Sequence, residues 1–465
     1  MMREPAFLRL PRPRPIGLAG RRVLVLGLGD TGLSVARWVA AEGGSVRVAD
    51  TRAAPPGLEA YAKELRGEFR GGPFEASLLE GVDLLCVSPG LPLEQPIVDE
   101  ALARGVPVLG DIELFAWHVR SATRAKVLAI TGTNGKTTVT SLAGHLLRAA
   151  GVDCEVAGNI GPAALDALLR RRAAGREPAV WVLELSSYQL EAAWSLDPDA
   201  AAMLNLSEDH LDRYGTLASY GAAKARVFQG DGVQVLNRDD GASLAMAAEG
   251  RARMTFGLGA PAVAWDFGVR EGWLVHGSER ILAREALPLR GDHNVANALA
   301  ACALARSVAA PLEALREGLQ TYRGLPHRVQ PIARRAGVEW YDDSKGTNVG
   351  ATVAALSGLG KRVVLIAGGD GKGQDFAPLA AAAARFASTV LLIGRDADRI
   401  AQPLASAGVA HERCPSLEAA VARAAELAGE GEAVLLSPAC ASFDMFRNYR
   451  HRGEAFAAAV RALDA

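Results

Sequence analysis

One glycine-rich segment constrains the fold of this chain more than any other: it reads Gly132-Thr133-Asn134-Gly135-Lys136-Thr137-Thr138. An apolar run typical of a β-strand, residues 126–130, precedes it, and residues 139–147 follow with helical spacing of apolar side chains. Between a strand and a helix, glycines let the backbone approach phosphate oxygens, and the helix N-terminus provides positive potential. The lysine of such a loop contacts the terminal phosphates, and the next hydroxyl contacts Mg²⁺. The segment therefore predicts a nucleoside triphosphate site.

The match to the phosphate-loop pattern G-x-x-x-x-G-K-[ST] is incomplete, because Ile130 stands where the pattern has its first glycine. An ordinary glycine-rich turn is the alternative interpretation. The strand and the helix on either side favour the phosphate site, but the segment alone does not say what the phosphate is used for.

Length and composition restrict the class of protein. A chain of 465 residues predicts about two to four domains, and 49% hydrophobic residues suffice for buried cores. The net charge of −1 argues against nucleic acid or membrane surfaces as partners, and there is no apolar run long enough for a membrane span. Five cysteines without C-x-x-C spacing argue for a reducing compartment, by default the cytoplasm, and against a structural metal. Residues 1–20 lack the apolar core of a signal peptide, and we expect a disordered tail there.

The N-terminal part of the chain has the pattern of a mononucleotide-binding βαβ unit. A buried-type strand leads into Gly27-Leu28-Gly29-Asp30-Thr31-Gly32, a full G-x-G-x-x-G, and then into a helix. The next strand ends at Asp50, at the distance expected for a ribose contact. NAD is the first interpretation, yet the same loop holds any diphosphate, so the ligand stays open. A later strand places Ser88 and Gly90 at the same edge, and residues 106–114 read as a last strand that leads to a linker helix.

Two polar side chains lie at predicted strand ends downstream of the phosphate loop. Glu184 lies near the carboxyl end of a predicted buried strand, residues 179–187, and His210 follows another, residues 200–206. Parallel sheets place ligands at the carboxyl ends of their strands, so both side chains are candidates for a Mg²⁺ beside the triphosphate. Taken singly, Glu184 suits a helix cap or a salt bridge and His210 an ordinary surface position. Their shared position after the phosphate loop favours the metal site.

The rest of the chain continues the alternation of strands and helices. Asn294 and Asn297 share one face of a predicted Ala-rich helix, where they suit a purine or ribose as well as a helix cap. Beyond residue 325, each predicted strand ends in Gly, Ser, Asp or Lys, which predicts another doubly wound domain. Its loop 368–373 contains Lys372, which favours an anion site over a simple turn. The predicted fold class is α/β with mainly parallel sheets: an N-terminal Rossmann-like domain, a central P-loop-type ATPase domain and a C-terminal Rossmann-like domain.

The motifs, in their order, resemble those of the Mur ligase family. The phosphate motif is shared across the Mur ligases and folylpolyglutamate synthetases, whereas the first-domain glycines, Ser186-Ser187-Tyr188-Gln189-Leu190 and Ser437-Pro438-Ala439-Cys440-Ala441-Ser442 point to the D-glutamate-adding branch. Further matching motifs are Asn205–Tyr214, His293-Asn294, Leu325–Arg328, Asp343–Asn348 and Gly368–Lys372. The resemblance covers about residues 21–465 and implies a UDP-sugar-binding domain at 21–114, an ATP-binding central domain at 115–324 and an amino-acid-binding domain at 325–465, after the tail at 1–20.

The resemblance implies an ATP-dependent ligase that adds D-glutamate to UDP-N-acetylmuramoyl-L-alanine in peptidoglycan precursor synthesis. A carboxylate is a poor electrophile for an amine, and transfer of the γ-phosphoryl group of ATP gives it a leaving group as an acyl phosphate. The expected cofactor is Mg²⁺, as two ions, with ATP as co-substrate. We further expect a cytoplasmic monomer that binds neither nucleic acid nor a membrane.

The resemblance also implies roles for matched positions. The catalytic residues are Lys136, Glu184, His210 and Lys224. The Mg²⁺ contacts are Thr137, Glu184, His210 and Lys224, the last after carbamylation, since a carbamate is an oxygen donor and an ammonium is not. The ATP contacts are Gly132, Thr133, Asn134, Gly135, Lys136, Thr137, Thr138, Asn294, Asn297, Arg328 and Asp343. The UDP-sugar contacts are Thr31, Asp50, Thr51, Arg52, Ser88, Gly90, Asn159, Ser186 and His210. The D-glutamate contacts are Lys345, Thr347, Lys372, Ser442 and Tyr449, of which Tyr449 stands where at least some relatives have Phe.

Other functions stay open at this point. Another Mur-type or folylpolyglutamate-type amide ligase would use the same scaffold, although the absence of an Asp-Asn-Pro-Arg motif argues against the diaminopimelate- or lysine-adding step. An NAD-dependent dehydrogenase with an incidental phosphate loop predicts hydride transfer and no use of ATP. A catalytically idle scaffold protein is disfavoured by the intact Lys136, Glu184, His210 and Lys224.

Overall fold

The computed structural model describes residues 6–463, which form three β-sheets of five, nine and six strands with flanking helices. We call the parts of the chain that carry these sheets the first, second and third domains. The prediction of an α/β protein with mainly parallel sheets in three domains is confirmed. Each sheet lies inside one of the three predicted ranges, whose boundaries stay a prediction.

The first domain carries a wholly parallel sheet. Its strands are β1 (Arg22–Leu26), β2 (Ser45–Asp50), β3 (Glu68–Gly71), β4 (Leu84–Val87) and β5 (Val108–Leu109). Its helices are α1 (Ala6–Arg9), α2 (Asp30–Ala41), α3 (Leu58–Glu64), α4 (Pro96–Ala103) and α5 (Asp111–Ala122). The strand order is β3-β2-β1-β4-β5, so that the glycine loop after β1 opens at the middle of the sheet.

The prediction of a strand over residues 106–114 is wrong for most of that range. Only Val108 and Leu109 pair with β4, and α5 begins at Asp111. Two acidic residues, Asp111 and Glu113, lie in the first turn of α5, where they suit the positive end of a helix.

The second domain carries the phosphate loop. Its strands are β6 (Lys126–Thr131), β7 (Cys154–Gly158), β8 (Val180–Glu184), β9 (Ala200–Met203), β10 (Val233–Asn237), β11 (Arg253–Phe256), β12 (Phe267–Arg270), β13 (Trp273–His276) and β14 (Glu279–Ala283). Its helices are α6 (Lys136–Ala149), α7 (Ala164–Ala173), α8 (Ser187–Glu191), α9 (Leu211–Tyr214), α10 (Leu217–Ala225), α11 (Gly241–Leu244), α12 (Asp292–Ser307) and α13 (Leu312–Thr321). The strand order is β14-β13-β12-β11-β10-β9-β6-β8-β7, antiparallel only from β12 to β14.

The third domain carries a sheet that is parallel except for its first pair. Its strands are β15 (Gln330–Arg335), β16 (Val338–Asp342), β17 (Val363–Gly368), β18 (Ala387–Ile393), β19 (His411–Arg413) and β20 (Ala433–Leu436). Its helices are α14 (Val349–Leu359), α15 (Ala377–Phe386), α16 (Ala397–Ser406), α17 (Leu417–Leu427) and α18 (Tyr449–Ala462). The strand order is β15-β16-β20-β17-β18-β19.

Alternate residues of the second sheet pack on opposite sides. Val127 and Ala129 belong to a hydrophobic cluster that also contains Phe115 of α5, whereas Leu128 and Ile130 belong to a cluster formed with α6 and α12. A strand buried on both faces needs a nearly continuous apolar sequence, which is why β6 is easily recognised. The first domain and the second domain thus share one hydrophobic core along one face of the second sheet.

The prediction of a disordered tail at residues 1–20 is wrong for the part that the structure describes. Phe7 and Leu10 are buried in a hydrophobic cluster with Leu24 and Leu26, and Leu18 is buried in a second cluster of the first domain. These spaced apolar side chains dock the segment onto the first sheet despite its prolines and arginines. Residues 1–5 lie outside the described residues. None of the helices within residues 6–463 combines the length and hydropathy that a membrane crossing needs.

Candidate active site

The phosphate loop connects β6 to α6 at the centre of the second sheet. Gly135 has φ +86°, and a side chain there would overlap the amide oxygen of Asn297 on α12, so that only glycine fits. The Nζ atom of Lys136 donates to the carbonyl oxygens of Gly132 and Thr133, both at 2.9 Å. Burial lowers the pKa of Lys136 to about 8. The Lys136 ammonium is therefore held over the loop, where the oxygens of a bound phosphate group would compete with these carbonyl oxygens for its hydrogen bonds.

Glu184 ends β8 next to the phosphate loop, because β8 pairs with β6 and aligns Glu184 with Ile130. Its side chain is buried, and Oε1 accepts a hydrogen bond of 2.7 Å from the Asn159 amide. The other oxygen, Oε2, is buried without a hydrogen-bond partner among the described residues. A buried carboxylate oxygen without a partner is costly, so this position suits a bound cation.

His210 precedes α9 with a left-handed backbone, φ +55°. Its Nδ1 atom lies 2.7 Å from the hydroxyl of Tyr188, and its Nε2 atom lies 3.7 Å from a carboxylate oxygen of Asp209. Burial lowers the pKa of His210 to about 4, with nearby Lys372 and Lys136 acting in the same direction. The imidazole is therefore neutral at pH 7, which is the form that ligates metals.

Lys224 lies on α10 and is almost fully buried beside the phosphate loop. Its Nζ atom donates to the Gly132 carbonyl oxygen at 2.8 Å and lies 4.6 Å from the centre of the Tyr220 ring. Burial lowers the pKa of Lys224 well below its usual range. A neutral amine is a nucleophile, and addition to carbon dioxide would convert it into an anionic carbamate.

A cavity of about 560 Å³ lies between the second and third domains and brings most of the predicted residues together. The predicted residues among its lining are Thr133, Asn134, Gly135, Lys136, Thr137, Thr138, Asn159, Glu184, Ser186, His210, Lys224, Asn294, Asn297, Arg328, Asp343, Lys345, Thr347 and Lys372. All residues predicted for the metal, and most of those predicted for ATP and for the amino acid, thus line one space although they come from separate domains; Gly132 is not among the lining residues.

The third domain contributes cationic side chains to this cavity. Lys372 forms an ion pair of 2.9 Å with Asp209 of the second domain. Burial lowers the pKa of Lys345 to about 8, and its Nζ atom lies 4.1 Å from the centre of the Tyr449 ring. Burial raises the pKa of Asp343 to about 7. Tyr449 and the buried Ser442 lie outside the cavity lining, and Tyr449 contacts the lining residue Lys345 through its ring.

The first-domain residues predicted for the UDP-sugar lie outside this cavity: Thr31, Asp50, Thr51, Arg52, Ser88 and Gly90. The carboxylate of Asp50 accepts from the Leu28 backbone at 2.8 Å and from Arg52, and the bond from Arg52 lowers the pKa of Asp50 to about 2. The Ser88 hydroxyl donates to the Gly27 carbonyl oxygen at 2.9 Å. Both side chains therefore hold the glycine loop in shape.

Family models match along almost the whole chain. Residues 21–110 match the Mur ligase MurD-like N-terminal domain, residues 130–305 the Mur ligase middle domain and residues 327–440 the Mur ligase glutamate ligase domain. The chain belongs to the Mur ligase family.

Several relatives match this chain at 50–55% identity over nearly its full length. The UDP-N-acetylmuramoylalanine–D-glutamate ligase of Nitrosospira multiformis is 55% identical over 97% of this chain and 97% of its own length. The enzyme of the same name from Thiobacillus denitrificans is 55% identical over 96% and 98%. Among solved structures, MurF from Acinetobacter baumannii superposes with a TM-score of 0.62 at 18% identity, covering 95% of this chain and 93% of that one. The UDP-N-acetylmuramate-alanine ligase MurC from Thermotoga maritima gives a TM-score of 0.61 at 19% identity, covering 95% and 99%. These structures support the shared fold.

The residues of this Mur ligase fit a Mg²⁺ bound together with a triphosphate. Within residues 6–463, no group of three or more His, Cys, Asp or Glu side chains is arranged to hold a metal by itself. Mg²⁺ does not need such a cage, because it takes one or two protein ligands and completes its shell with phosphate oxygens and water. Three groups would serve as donors: the Glu184 oxygen that has no partner among the described residues, the neutral His210 and the hydroxyl of Thr137.

Sequence reasoning assigned no role to two side chains that the structure places at this site. Asp209 carries the ion pair with Lys372, and Asn348 bonds to Asn134 of the phosphate loop. Asp209 directly precedes His210 and Asn348 directly follows Thr347, so their position next to predicted site residues is the sequence feature that could have indicated a role. Their contacts depend on how two distant domains meet, which no local pattern contains.

Proposed function

We propose that this Mur ligase joins D-glutamate to UDP-N-acetylmuramoyl-L-alanine at the expense of ATP, in peptidoglycan precursor synthesis. Full-length relatives of 50–55% identity with that activity in their names support the assignment. The structural observation that carries it is the cavity in which the phosphate loop of the second domain faces Lys345 and Lys372 of the third. A carboxylate, a triphosphate and an amino acid with two carboxylates are all anions that such a cavity attracts.

The chemistry follows from the charges around the cavity. Lys136 would hold the terminal phosphates, so that the substrate carboxylate attacks the γ-phosphorus and forms an acyl phosphate with release of ADP. The uncharged amine of D-glutamate then attacks the acyl carbon, and inorganic phosphate leaves from the tetrahedral intermediate. Lys345, Thr347 and Lys372 would bind the carboxylates of D-glutamate and orient its amine toward the acyl carbon. Ser442 and Tyr449 would form the outer wall of that pocket.

Two Mg²⁺ ions are part of the proposal. Thr137, Glu184 and His210 would hold them, together with Lys224 as a carbamate, and the ions would neutralise charge on the transferring phosphoryl group. The remaining assignments follow the matched positions: Asn294, Asn297, Arg328 and Asp343 toward the nucleotide, and Asn159, Ser186 and the edge of the first sheet toward the UDP-sugar. The enzyme would act as a monomer in the cytoplasm.

Phosphate release tests the proposal directly. The purified chain is incubated with ATP, Mg²⁺, UDP-N-acetylmuramoyl-L-alanine and single amino acids, and the product is identified by mass. Phosphate release that depends on D-glutamate supports the proposal. Equal release with meso-diaminopimelate, or none with D-glutamate, contradicts it and favours another amide ligase on the same scaffold.

A pair of lysine variants tests the amino-acid pocket. Lys372→Ala removes a charged hydrogen-bond donor from the cavity and should lower kcat/KM for D-glutamate by roughly 10- to 150-fold, corresponding to about 1.5–3 kcal/mol. Lys361→Ala is the matched control, because Lys361 is paired with Glu339 on the outside of the third domain, away from the cavity. Equal effects of the two variants would contradict the assigned pocket.

A further inference from the structure

Hydrogen bonds from Asn348 link the second and third domains at the cavity. Its side-chain nitrogen, Nδ2, lies 3.0 Å from Oδ1 of Asn134 in the phosphate loop and 3.3 Å from Oδ2 of Asp209. Asn348 is 6% exposed, so water does not compete freely for these bonds. Asp209 bonds to the third domain through both oxygens, since its Oδ1 pairs with Lys372. The two domains therefore meet through a small polar cluster and not through an apolar surface at this point.

The two ends of the Asn348 amide serve different domains. Its oxygen caps α14 by accepting from the Ala351 backbone at 2.9 Å, within the third domain. Its NH₂ group has two hydrogens and meets two acceptors, both in the second domain. Aspartate or serine at this position would keep the cap but would not supply two donors. The choice of an amide is thus explained by the domain contact and not by the cap.

The partners of Asn348 are themselves fixed. The Asn134 backbone N–H donates to the Asn205 side chain at 2.8 Å, and the Asn205 amide donates back to the Asn134 carbonyl oxygen at 3.1 Å. Gly350 in the first turn of α14 also approaches this loop closely: a Cβ atom there would lie 3.2 Å from Nδ2 of Asn134 and 3.6 Å from the Ser207 hydroxyl. A larger side chain at this exposed position would crowd the Asn134 side chain, which Asn348 contacts.

We infer that Asn348 is a positioning residue that sets the distance between the phosphate loop and the amino-acid pocket when the domains are together. The inference rests on the proposed function. Thr347 and Lys345, assigned to D-glutamate, belong to the same loop as Asn348, whereas Asn134 directly precedes Gly135 and Lys136. The hydrogen bond between the two asparagines therefore ties the loop that holds the amine to the loop that holds the phosphates. A displacement of about 1 Å between reacting groups is enough to slow such a reaction about 100-fold.

Three substitutions separate this role from helix capping. Asn348→Ser keeps an N-cap acceptor but replaces the two amide N–H donors with one hydroxyl on a shorter side chain; Asn348→Ala loses the cap as well. Gly350→Leu leaves the cap acceptor in place and crowds the Asn134 side chain on the other side of the domain contact. Ser416→Ala is the control, because Ser416 caps α17 of the third domain away from the cavity. The measurements are the melting temperature, kcat and KM for D-glutamate, and the affinity for a non-hydrolysable ATP analogue.

The expected pattern is specific. Asn348→Ser and Gly350→Leu should keep the wild-type melting temperature and the affinity for the ATP analogue, but lower kcat/KM for D-glutamate by roughly 10- to 100-fold. Asn348→Ala should show the same loss of kcat/KM together with a lower melting temperature. Ser416→Ala should lower the melting temperature and leave the kinetics unchanged. Wild-type kinetics of Asn348→Ser, or a melting temperature as low as that of Asn348→Ala, would overturn the inference. A wild-type enzyme without D-glutamate-dependent phosphate release would instead refute the proposed function.

Discussion

Substitution of Gly135 by alanine is a sharp test of the phosphate loop. Gly135 has φ +86°, a conformation that costs an L-residue about 1–2 kcal/mol. The new Cβ atom would also overlap the amide oxygen of Asn297, and moving that side chain breaks its 3.2 Å hydrogen bond to Asn294, at a cost of about 1 kcal/mol. The total penalty is about 2–3 kcal/mol. All three residues involved, Gly135, Asn294 and Asn297, are assigned to the nucleotide.

This penalty can lower either the stability of the protein or its use of ATP, and both are measurable. If the loop keeps its shape, the free energy of unfolding falls by about 2–3 kcal/mol, as read from urea denaturation. If the loop relaxes, kcat/KM for ATP falls instead by roughly 30- to 140-fold, at 1.4 kcal/mol for each factor of ten. The sum of the two losses, each expressed as free energy, should therefore be about 2–3 kcal/mol.

Gly151 provides the matched control at the other end of α6. It has φ +73°, and apart from its two chain neighbours no described residue lies within 4 Å of the position of a Cβ atom. Gly151→Ala should lower the free energy of unfolding by only the conformational cost of about 1–2 kcal/mol and leave kcat/KM for ATP unchanged. The reasoning is refuted if Gly135→Ala is wild type in both measurements, or if Gly151→Ala impairs the use of ATP equally.

Three further predictions concern stability and the modified lysine. Burial raises the pKa of Asp111 to about 6, so the folded state disfavours the ionised form of this side chain. Relative to wild type, Asp111→Asn should therefore become more stable as the pH rises from 4 to 6, with a gain of about 3 kcal/mol in the free energy of unfolding at pH 7. A difference in urea denaturation that does not change with pH would contradict this prediction. Phe7→Ala should lower the free energy of unfolding by up to about 3 kcal/mol, because Phe7 is buried, whereas Leu8→Ala, at an exposed site, should change it by less than about 0.5 kcal/mol. Equal effects of the two variants would show that the N-terminal segment is not docked on the first domain. Lys224→Ala should lose ligase activity and regain part of it in added short-chain carboxylate, which replaces the carbamate oxygens, and full activity of the variant would exclude the carbamate.

The sheets were predictable because their strands obey a local rule. β8 and β17 are short runs of apolar residues buried on both faces, and each is recognised from its composition and its polar carboxyl end. The glycine loop after β1 and the phosphate loop after β6 follow from the same rule together with the spacing of their glycines. The same rule does not identify short elements. β5 has only two residues, and α5 begins at Asp111, within the segment that was predicted to be a strand.

The N-terminal segment could not be predicted from composition. Prolines and arginines suggest disorder, and four residues of helix carry no periodic signal. Its order in the structure comes from Phe7, Leu10 and Leu18, which reach clusters of the first domain that are assembled from later parts of the chain. Whether isolated apolar residues find such a surface is decided by tertiary packing.

The site itself was partly predictable because its residues are poor choices for stability. Lys224 is buried and Lys136 and Lys345 are partly buried, and desolvation lowers the pKa of each, while Glu184 keeps an oxygen without a partner among the described residues. Such groups are costly in an empty cavity and become favourable only when a polyanion and its cations occupy it. Charged side chains at such positions do not favour a stable fold, and charged residues beside apolar strands and glycine-rich loops can be recognised in a sequence. Asn348 is consistent with an ordinary helix cap, so its second role emerges only when the phosphate loop, 214 positions earlier, is seen beside it.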